Sequence, residues 1–152
     1  MREKGGAASK IITASPKPLT SDNAILLSLI FGVIFAGLGV AYLGFADPHA
    51  DPLALLLIIF LAFSSWLGFL IVLRLLWKSV AVLSFASHTI VTFVVAIISA
   101  IVIWPLSIAT IYSAEDFSTV VLVAILNPFA VAIIAFVTYR VSIRSLSHGG
   151  SA

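Results

Sequence analysis

Four long apolar runs, separated by short polar segments, dominate the pattern of this chain. The runs cover residues 24–45, 53–77, 85–111 and 117–139. A transmembrane helix needs about 20 predominantly apolar residues, because each residue advances about 1.5 Å along the helix axis. Each run satisfies this length. The pattern therefore predicts an all-α integral membrane protein, with four transmembrane helices packed as a single bundle over residues 23–141.

Helix-start signals precede three of the apolar runs. Ser21, Asp22 or Asn23 can cap the first helix. Asp51 followed by Pro52 has the order of an N-cap and a first helical residue. Residues 113–116, with the sequence Ser-Ala-Glu-Asp, have the spacing of a capping box before the fourth run. These signals support the helix starts independently of hydropathy.

The third run has two possible registers, because the chain stays apolar from residue 79 to residue 112. One version is a tilted helix over 85–111 that is kinked near Pro105. The other begins near Val80 and ends at Trp104-Pro105, which places Trp104 in the outer aromatic belt. We favour the first version, since the chain needs several residues after Lys78 to reverse direction.

The charges are segregated along the chain. Two turns between the runs carry Asp47, Asp51, Glu115 and Asp116 and no basic residue. The basic residues flank the other ends of the runs: Arg2, Lys4, Lys10, Lys17, Arg74, Lys78, Arg140 and Arg144. Basic residues in short loops stay cytoplasmic. We therefore expect a multi-pass protein of the plasma (inner) membrane with cytoplasmic tails at residues 1–22, flexible and basic, and 142–152, short and polar.

Composition agrees with the membrane assignment and removes several kinds of chemistry. The chain is 62% hydrophobic and 9% charged, against about 45–50% and about 25% in soluble domains. The lipid bilayer is thus the first expected partner. The basic residues form no continuous patch, so no nucleic acid partner is expected. With no cysteine, thiolate nucleophiles and zinc–thiolate sites are excluded.

Polar residues near the middle of the runs are the candidates for a site. They are Ser64, Ser65, Ser99 and Asn127. One interpretation is an interhelical hydrogen-bond cluster, in which the Asn127 amide meets a serine of the second or third span. The other is a substrate or ion site on a helix broken at Pro128. We favour packing, because proton and cation transporters generally need an intramembrane acid.

Small residues form two stripes on the first run. Ser28, Gly32 and Ala36 recur at intervals of four, and Gly37 and Ala41 repeat that interval on another face. Small residues let neighbouring helices approach closely in lipid. Two stripes therefore predict two closely packed neighbours, and one of these could belong to another chain.

Metal, cofactor and catalytic signals are weak. Asp47, His49 and Asp51 in the outer turn are candidate metal ligands, although helix capping explains the acids without a metal. We expect His88 at the inner interface, where backbone or headgroups satisfy it. Catalytic and phosphate-binding motifs are absent, so we expect no cofactor and no enzymatic activity in this chain alone.

These observations predict a non-catalytic accessory subunit of a larger membrane complex, respiratory or otherwise energy-transducing. It would stabilise a cofactor-bearing or transporting partner, and other membrane subunits would be its partners. One alternative is a small homo-oligomeric channel or transporter with a polar midplane site. Another is a membrane-anchored binding protein whose basic tail recruits a cytoplasmic partner.

Overall fold

The structure, a computed structural model, describes residues 20–80, 83–113 and 116–149. These residues form the helices α1 (Ser21–Ala46), α2 (Pro52–Val80), α3 (Phe85–Tyr112) and α4 (Phe117–Gly149). The described residues include no strand, and each of the four helices is long and apolar enough to cross a membrane. The prediction of an all-α protein with four membrane-spanning helices is confirmed. The cytoplasmic placement of the termini stays a prediction, and residues 1–19 of the predicted amino-terminal tail lie outside the described residues.

Side-chain caps fix the starts of the helices. Thr20 caps α1, since its hydroxyl accepts a hydrogen bond from the Asn23 backbone N–H at 3.4 Å. The cap thus lies one residue before the three predicted candidates. At α2, Asp51 Oδ1 accepts from the backbone N–H two residues later at 3.3 Å, the role expected of an N-cap. Residues 114 and 115 of the predicted capping box lie outside the described residues.

Helix α3 is continuous through its internal proline. It begins after the N-cap residue Ser84 and passes through Pro105 to Tyr112, as in the first of the two predicted versions. Trp104 is therefore not in an outer aromatic belt. Its side chain is 1% exposed and belongs to the core of the bundle.

Helix α4 extends well beyond its apolar run. It passes through Pro128 and ends only at Gly149, so most of the segment predicted as a short polar tail is helical. The hydroxyls of Ser142 and Ser145 donate to carbonyls of the preceding helical turn at 2.9 Å each.

The helices form a ring in the order α1–α2–α4–α3. Helix α1 packs against α2 and α3, and α4 packs against the same two helices. Over the described residues, no Cα atom of α1 lies within 8 Å of one in α4, and the same holds for α2 and α3. Helices α1 and α3 run parallel, because their carboxyl ends meet where the Tyr112 hydroxyl donates to Asp47 Oδ2 at 3.0 Å. Helices α2 and α3 are thus consecutive in sequence but diagonal in the bundle.

A stack of aromatic rings forms the centre of the core. The rings of Phe31 and Phe69 lie 4.3 Å apart at an interplanar angle of 8°, and those of Phe35 and Trp104 lie 4.8 Å apart. Trp104 also donates its indole N–H to the Phe35 carbonyl at 2.9 Å. Such aromatic pairs contribute about 0.5–1.5 kcal/mol beyond the area they bury. The stack joins α1 to both of its neighbours.

Candidate functional site

Groups other than Asp, Glu, Lys and Arg supply the polar chemistry of the bundle interior. Across residues 20–80, 83–113 and 116–149, no Asp, Glu, Lys or Arg side chain with described burial is buried. The buried polar side chains are Ser28, Ser65, His88, Thr92, Ser99, Ser107 and Asn127. Hydroxyl, amide and imidazole groups can donate and accept hydrogen bonds, but they supply no fixed charge to hold an ion.

Asn127 forms a hydrogen bond that joins α4 to α3. Ser107 Oγ donates to Asn127 Oδ1 at 3.2 Å, and both residues are buried. The Nδ2 group of the same amide is buried without a hydrogen-bond partner in the described structure. Pro128 follows directly and has no N–H to donate to the carbonyl four residues before it. One half of the amide is therefore paired, and the other half is not.

The three serines that the sequence places near mid-membrane depth do not form hydrogen bonds with Asn127. Ser64 donates to the Leu61 carbonyl of its own helix at 2.9 Å. Ser65 and Ser99 are completely buried, and their hydroxyls have no hydrogen-bond partner among the described residues. They lie on α2 and α3, which are diagonal in the bundle. The structure thus pairs Asn127 with a serine of the third helix that the sequence analysis did not name.

A cavity of about 230 Å³ lies between α3 and α4 beside this pair. Ser107, Asn127 and Thr110 supply its polar atoms. The remaining walls are apolar: Val102, Ile103, Leu106, Val123, Leu126 and Ala130. Leu106 and Leu126 are 65% and 53% exposed, so the cavity adjoins the outer, lipid-facing surface of the bundle.

A second polar group joins α3 to α4 near the other end of these helices. Thr92 Oγ1 and the Tyr139 hydroxyl lie 3.2 Å apart. The His88 ring lies 5.9 Å from the Tyr139 ring, and all three side chains are fully buried. His88 lies three residues after the start of α3 and is fully buried within the bundle, so headgroups do not reach its side chain. Its depth at the inner interface stays a prediction.

The two small-residue stripes of α1 face different surroundings. A Cβ added at Gly32 would lie 3.4 Å from Trp66 of α2, and Ala36 lies beside it on a groove of about 400 Å³ between the two helices. Ser28 is buried and donates to a carbonyl of its own helix at 2.7 Å. Gly37 and Ala41 are exposed. A Cβ at Gly37 would meet no atom within 4 Å.

Hydrogen bonds engage the acids of the turn between α1 and α2. Asp47 Oδ1 accepts from the His49 backbone N–H at 3.1 Å, while Oδ2 accepts from Tyr112. Asp51 caps α2. Over the described residues, no three His, Cys, Asp or Glu side chains are grouped closely enough to hold a metal ion. The observed role of these acids is to tie the turn to α2 and α3.

Two glycines outside both stripes make the closest helix contacts. A Cβ at Gly39 would lie 2.5 Å from the Trp104 indole, and a Cβ at Gly68 would overlap the Pro128 carbonyl oxygen and lie 2.8 Å from Pro128 Cα. Glycine is the residue that permits such approach. Gly68 has a small residue, Ser64, four positions earlier, which was a usable signal. Gly39 has Phe35 and Leu43 at that spacing, so its sequence neighbourhood gives no such signal.

Comparisons with protein-family models, with curated proteins and with solved structures give no match for this chain.

Proposed function

We propose that the protein is a non-catalytic helical subunit of a larger complex in the plasma (inner) membrane, with both termini cytoplasmic. Its role is to stabilise a cofactor-bearing or transporting partner subunit. The observation that carries the proposal is the outer face of α1, which exposes small residues where lipid contact does not require them.

This outer face consists of Gly37, Ala41 and Gly44, which are all exposed. Their spacing of four and three residues places them on one side of the helix. A Cβ at Gly37 or Gly44 would meet no atom within 4 Å, so nothing inside the chain requires glycine there. Glycine in a helix interior costs about 0.5–1 kcal/mol relative to alanine. A closely packed helix of another chain offsets that cost through backbone contact.

The interior chemistry favours a structural role. The described buried polar groups are hydroxyls, an amide and an imidazole, and two of their hydrogen bonds join α3 to α4. Interhelical hydrogen bonds in membranes contribute roughly 0.6–2 kcal/mol each. Such groups fix the register of the bundle, which suits a subunit that presents a rigid surface to its partner.

The test compares two substitutions on α1 in the native membrane. Gly37→Leu adds a bulky side chain to the outer face, where the chain itself offers open space. Leu38→Phe is the control, because Leu38 is 39% exposed and lies on a different side of the helix. After mild-detergent purification, Gly37→Leu should release a co-purifying membrane protein that wild type and Leu38→Phe retain. All three proteins should insert equally well.

The mass of the species that is lost decides between the proposals. Loss of a different chain supports the accessory subunit. Dissociation into single copies of this chain supports the homo-oligomeric channel or transporter instead. Retention of the same partners and the same size by Gly37→Leu contradicts both assignments of this face.

A further inference from the structure

An apolar groove of about 400 Å³ lies between α1 and α2 at the outer surface of the bundle. Along α1 it extends from residue 29 to residue 36, a length of about 10 Å. Its small lining residues are Gly32, Ala36 and Ala62. Four large lining residues are more than half exposed: Leu29, Val33, Ile59 and Phe63. A helix is about 10–12 Å wide, so these side chains hold a neighbouring helix away from the small residues, whereas a single acyl chain is narrow enough to enter.

Arg74 lies beyond one end of this groove, on the same side of α2 as Phe63. The two residues are eleven positions apart, which is about three helical turns. Arg74 is exposed and makes no hydrogen bond or ion pair with any residue that the structure describes. It follows Pro52, the first residue of α2, by 22 positions or about 33 Å. Because a hydrocarbon core is about 30 Å thick, this distance brings the guanidinium to the headgroup layer, where lipid phosphate is the available counterion.

Asp22 supplies a negative charge at the same end of the bundle. It is exposed in the first turn of α1 and precedes Leu29 of the groove by seven positions, or about two turns. The rings of Phe31 and Phe69, 4.3 Å apart, set the relative level of the two antiparallel helices. From that contact, Asp22 is nine residues or about 14 Å away, and Arg74 is five residues or about 8 Å away. The carboxylate therefore lies about 6 Å farther from the membrane centre than the guanidinium.

We propose that the α1/α2 groove binds a phospholipid whose headgroup joins a phosphate to a primary ammonium, as in phosphatidylethanolamine. The phosphate binds Arg74, the ammonium binds Asp22, and one acyl chain lies in the groove. The order of the charges agrees, because the ammonium of such a headgroup lies on the aqueous side of its phosphate. An anionic headgroup brings no cation to Asp22, and a choline group has no N–H to donate. The site goes beyond the proposed subunit role and does not rest on it, since it uses a different side of α1 from Gly37.

The test uses Trp66 as a reporter of the acyl chain, because this residue lines the groove. It lies eight residues, about 12 Å, from Arg74 toward the membrane centre, and one leaflet is about 15 Å deep. The full chain is reconstituted in phosphatidylcholine nanodiscs that contain phosphatidylethanolamine or phosphatidylglycerol with brominated chains, which quench tryptophan fluorescence on contact. Subtracting the signal of Trp66→Phe removes the other tryptophans. Phosphatidylethanolamine should bind about three- to fivefold more tightly than phosphatidylglycerol, the scale of one charge at a membrane surface.

Charge variants separate the two headgroup contacts. Asp22→Asn removes the partner of the ammonium and should reverse the preference, so that the anionic lipid binds more tightly. Adding Arg74→Gln to Asp22→Asn should abolish the preference. Arg140→Gln is the matched control and should behave as wild type, because Arg140 is an exposed arginine of α4, which is diagonal to α1 in the bundle. Ala36→Leu should fill the groove and lower the quenching of Trp66 by both lipids.

The wild-type comparison needs no variant, so misfolding of one mutant leaves the proposal open to refutation. Equal quenching by the two lipids overturns it and indicates that Asp22 and Arg74 neutralise each other directly. Tighter binding of phosphatidylglycerol by wild type also overturns it, because Arg74 would then act without Asp22. A preference for phosphatidylethanolamine that survives in folded Asp22→Asn, or undiminished quenching in folded Ala36→Leu, overturns it as well.

Discussion

Gly68→Ala tests the contact between α2 and α4. The new Cβ would lie 2.8 Å from Pro128 Cα and 2.9 Å from Pro128 C, and closer still to the carbonyl oxygen. Ordinary contacts between carbon atoms are about 3.5–4.0 Å long. The neighbouring atoms are backbone, so they cannot turn away as a side chain can. The two helices must separate by about 1 Å at this point, and a gap of that size forfeits a quarter to a half of each dispersion contact it opens.

The magnitude follows from comparison with a second glycine of the same protein. Overpacking costs about 1–3 kcal/mol, whereas replacing a helix-interior glycine by alanine returns about 1 kcal/mol of helix propensity. Gly37→Ala receives the same propensity gain, but its Cβ meets no atom within 4 Å. The propensity terms cancel in the difference between the two variants. Gly68→Ala should therefore be less stable than Gly37→Ala by about 1–3 kcal/mol.

The assay is reversible unfolding of the purified chain in mixed micelles, with a denaturing detergent as the titrant. Fluorescence of the three tryptophans reports the transition. Relative to wild type, Gly68→Ala should unfold at lower denaturant and Gly37→Ala at equal or higher denaturant. If the two variants unfold together, the close approach of α2 to α4 at Gly68 is refuted.

Three further predictions concern topology, the core and the buried amide. In this cysteine-free chain, an impermeant thiol reagent applied to intact cells should label His49→Cys but not Lys10→Cys, and the reverse pattern contradicts the predicted orientation. Trp104→Phe removes the indole N–H donor and leaves a gap beside the smaller phenyl ring. It should lower the free energy of unfolding by about 1 kcal/mol or more in the micelle assay. Unchanged stability would count against that hydrogen bond. Asn127→Leu should cost on the scale of 1 kcal/mol, and adding Ser107→Ala should change stability less than it does in wild type, because the two side chains share one hydrogen bond. Full additivity in that double-mutant cycle would show that they do not interact.

The four helices were predictable because, in a membrane protein, the length and hydropathy of an apolar run determine whether it forms a transmembrane helix. The bounds in the structure differ from the apolar runs mainly where polar residues continue a helix, as in the carboxyl-terminal part of α4. Hydropathy identifies the part of a helix that lies in lipid, but it does not show how far the helix continues into water. Ser142 and Ser145 are helical, and their hydroxyls donate to carbonyls of the preceding turn, a contact that no hydropathy average contains.

The partner of Asn127 was missed for a geometric reason. When depth is counted from backbone positions along the helices, Ser99 lies closer to the depth of Asn127 than Ser107 does. Side chains on a helix lean toward its amino terminus. Helices α3 and α4 run in opposite directions, so Ser107 leans inward along the bundle while Asn127 leans outward, and the two side chains converge. A correction of about one helical turn for this lean would have favoured Ser107.

The glycines show a different limit of the sequence. The recurring pattern of Ser28, Gly32 and Ala36 predicts two helices that approach along a shared stripe, but Gly32 and Ala36 line a groove beside the Trp66 side chain. Gly39 instead makes room for one large side chain, Trp104, and therefore needs no small neighbour one turn away. A single glycine flanked by large residues has the same sequence appearance whether it receives an indole or faces lipid. Only the packed structure shows which of these two cases Gly39 represents.

The ring order of the helices divides the molecule into two antiparallel helical hairpins, α1–α2 and α3–α4, that dock side by side. Two close glycine contacts lie at the interface between the hairpins. Gly39 and Gly68 of the first hairpin pack against Trp104 and Pro128 of the second. When the first hairpin is synthesised, the space beside these two glycines is unfilled until the second hairpin packs against them. Co-expression of the two halves, divided between residues 80 and 83, should therefore reconstitute the bundle. Each half expressed alone should lack the contacts that fix its packing.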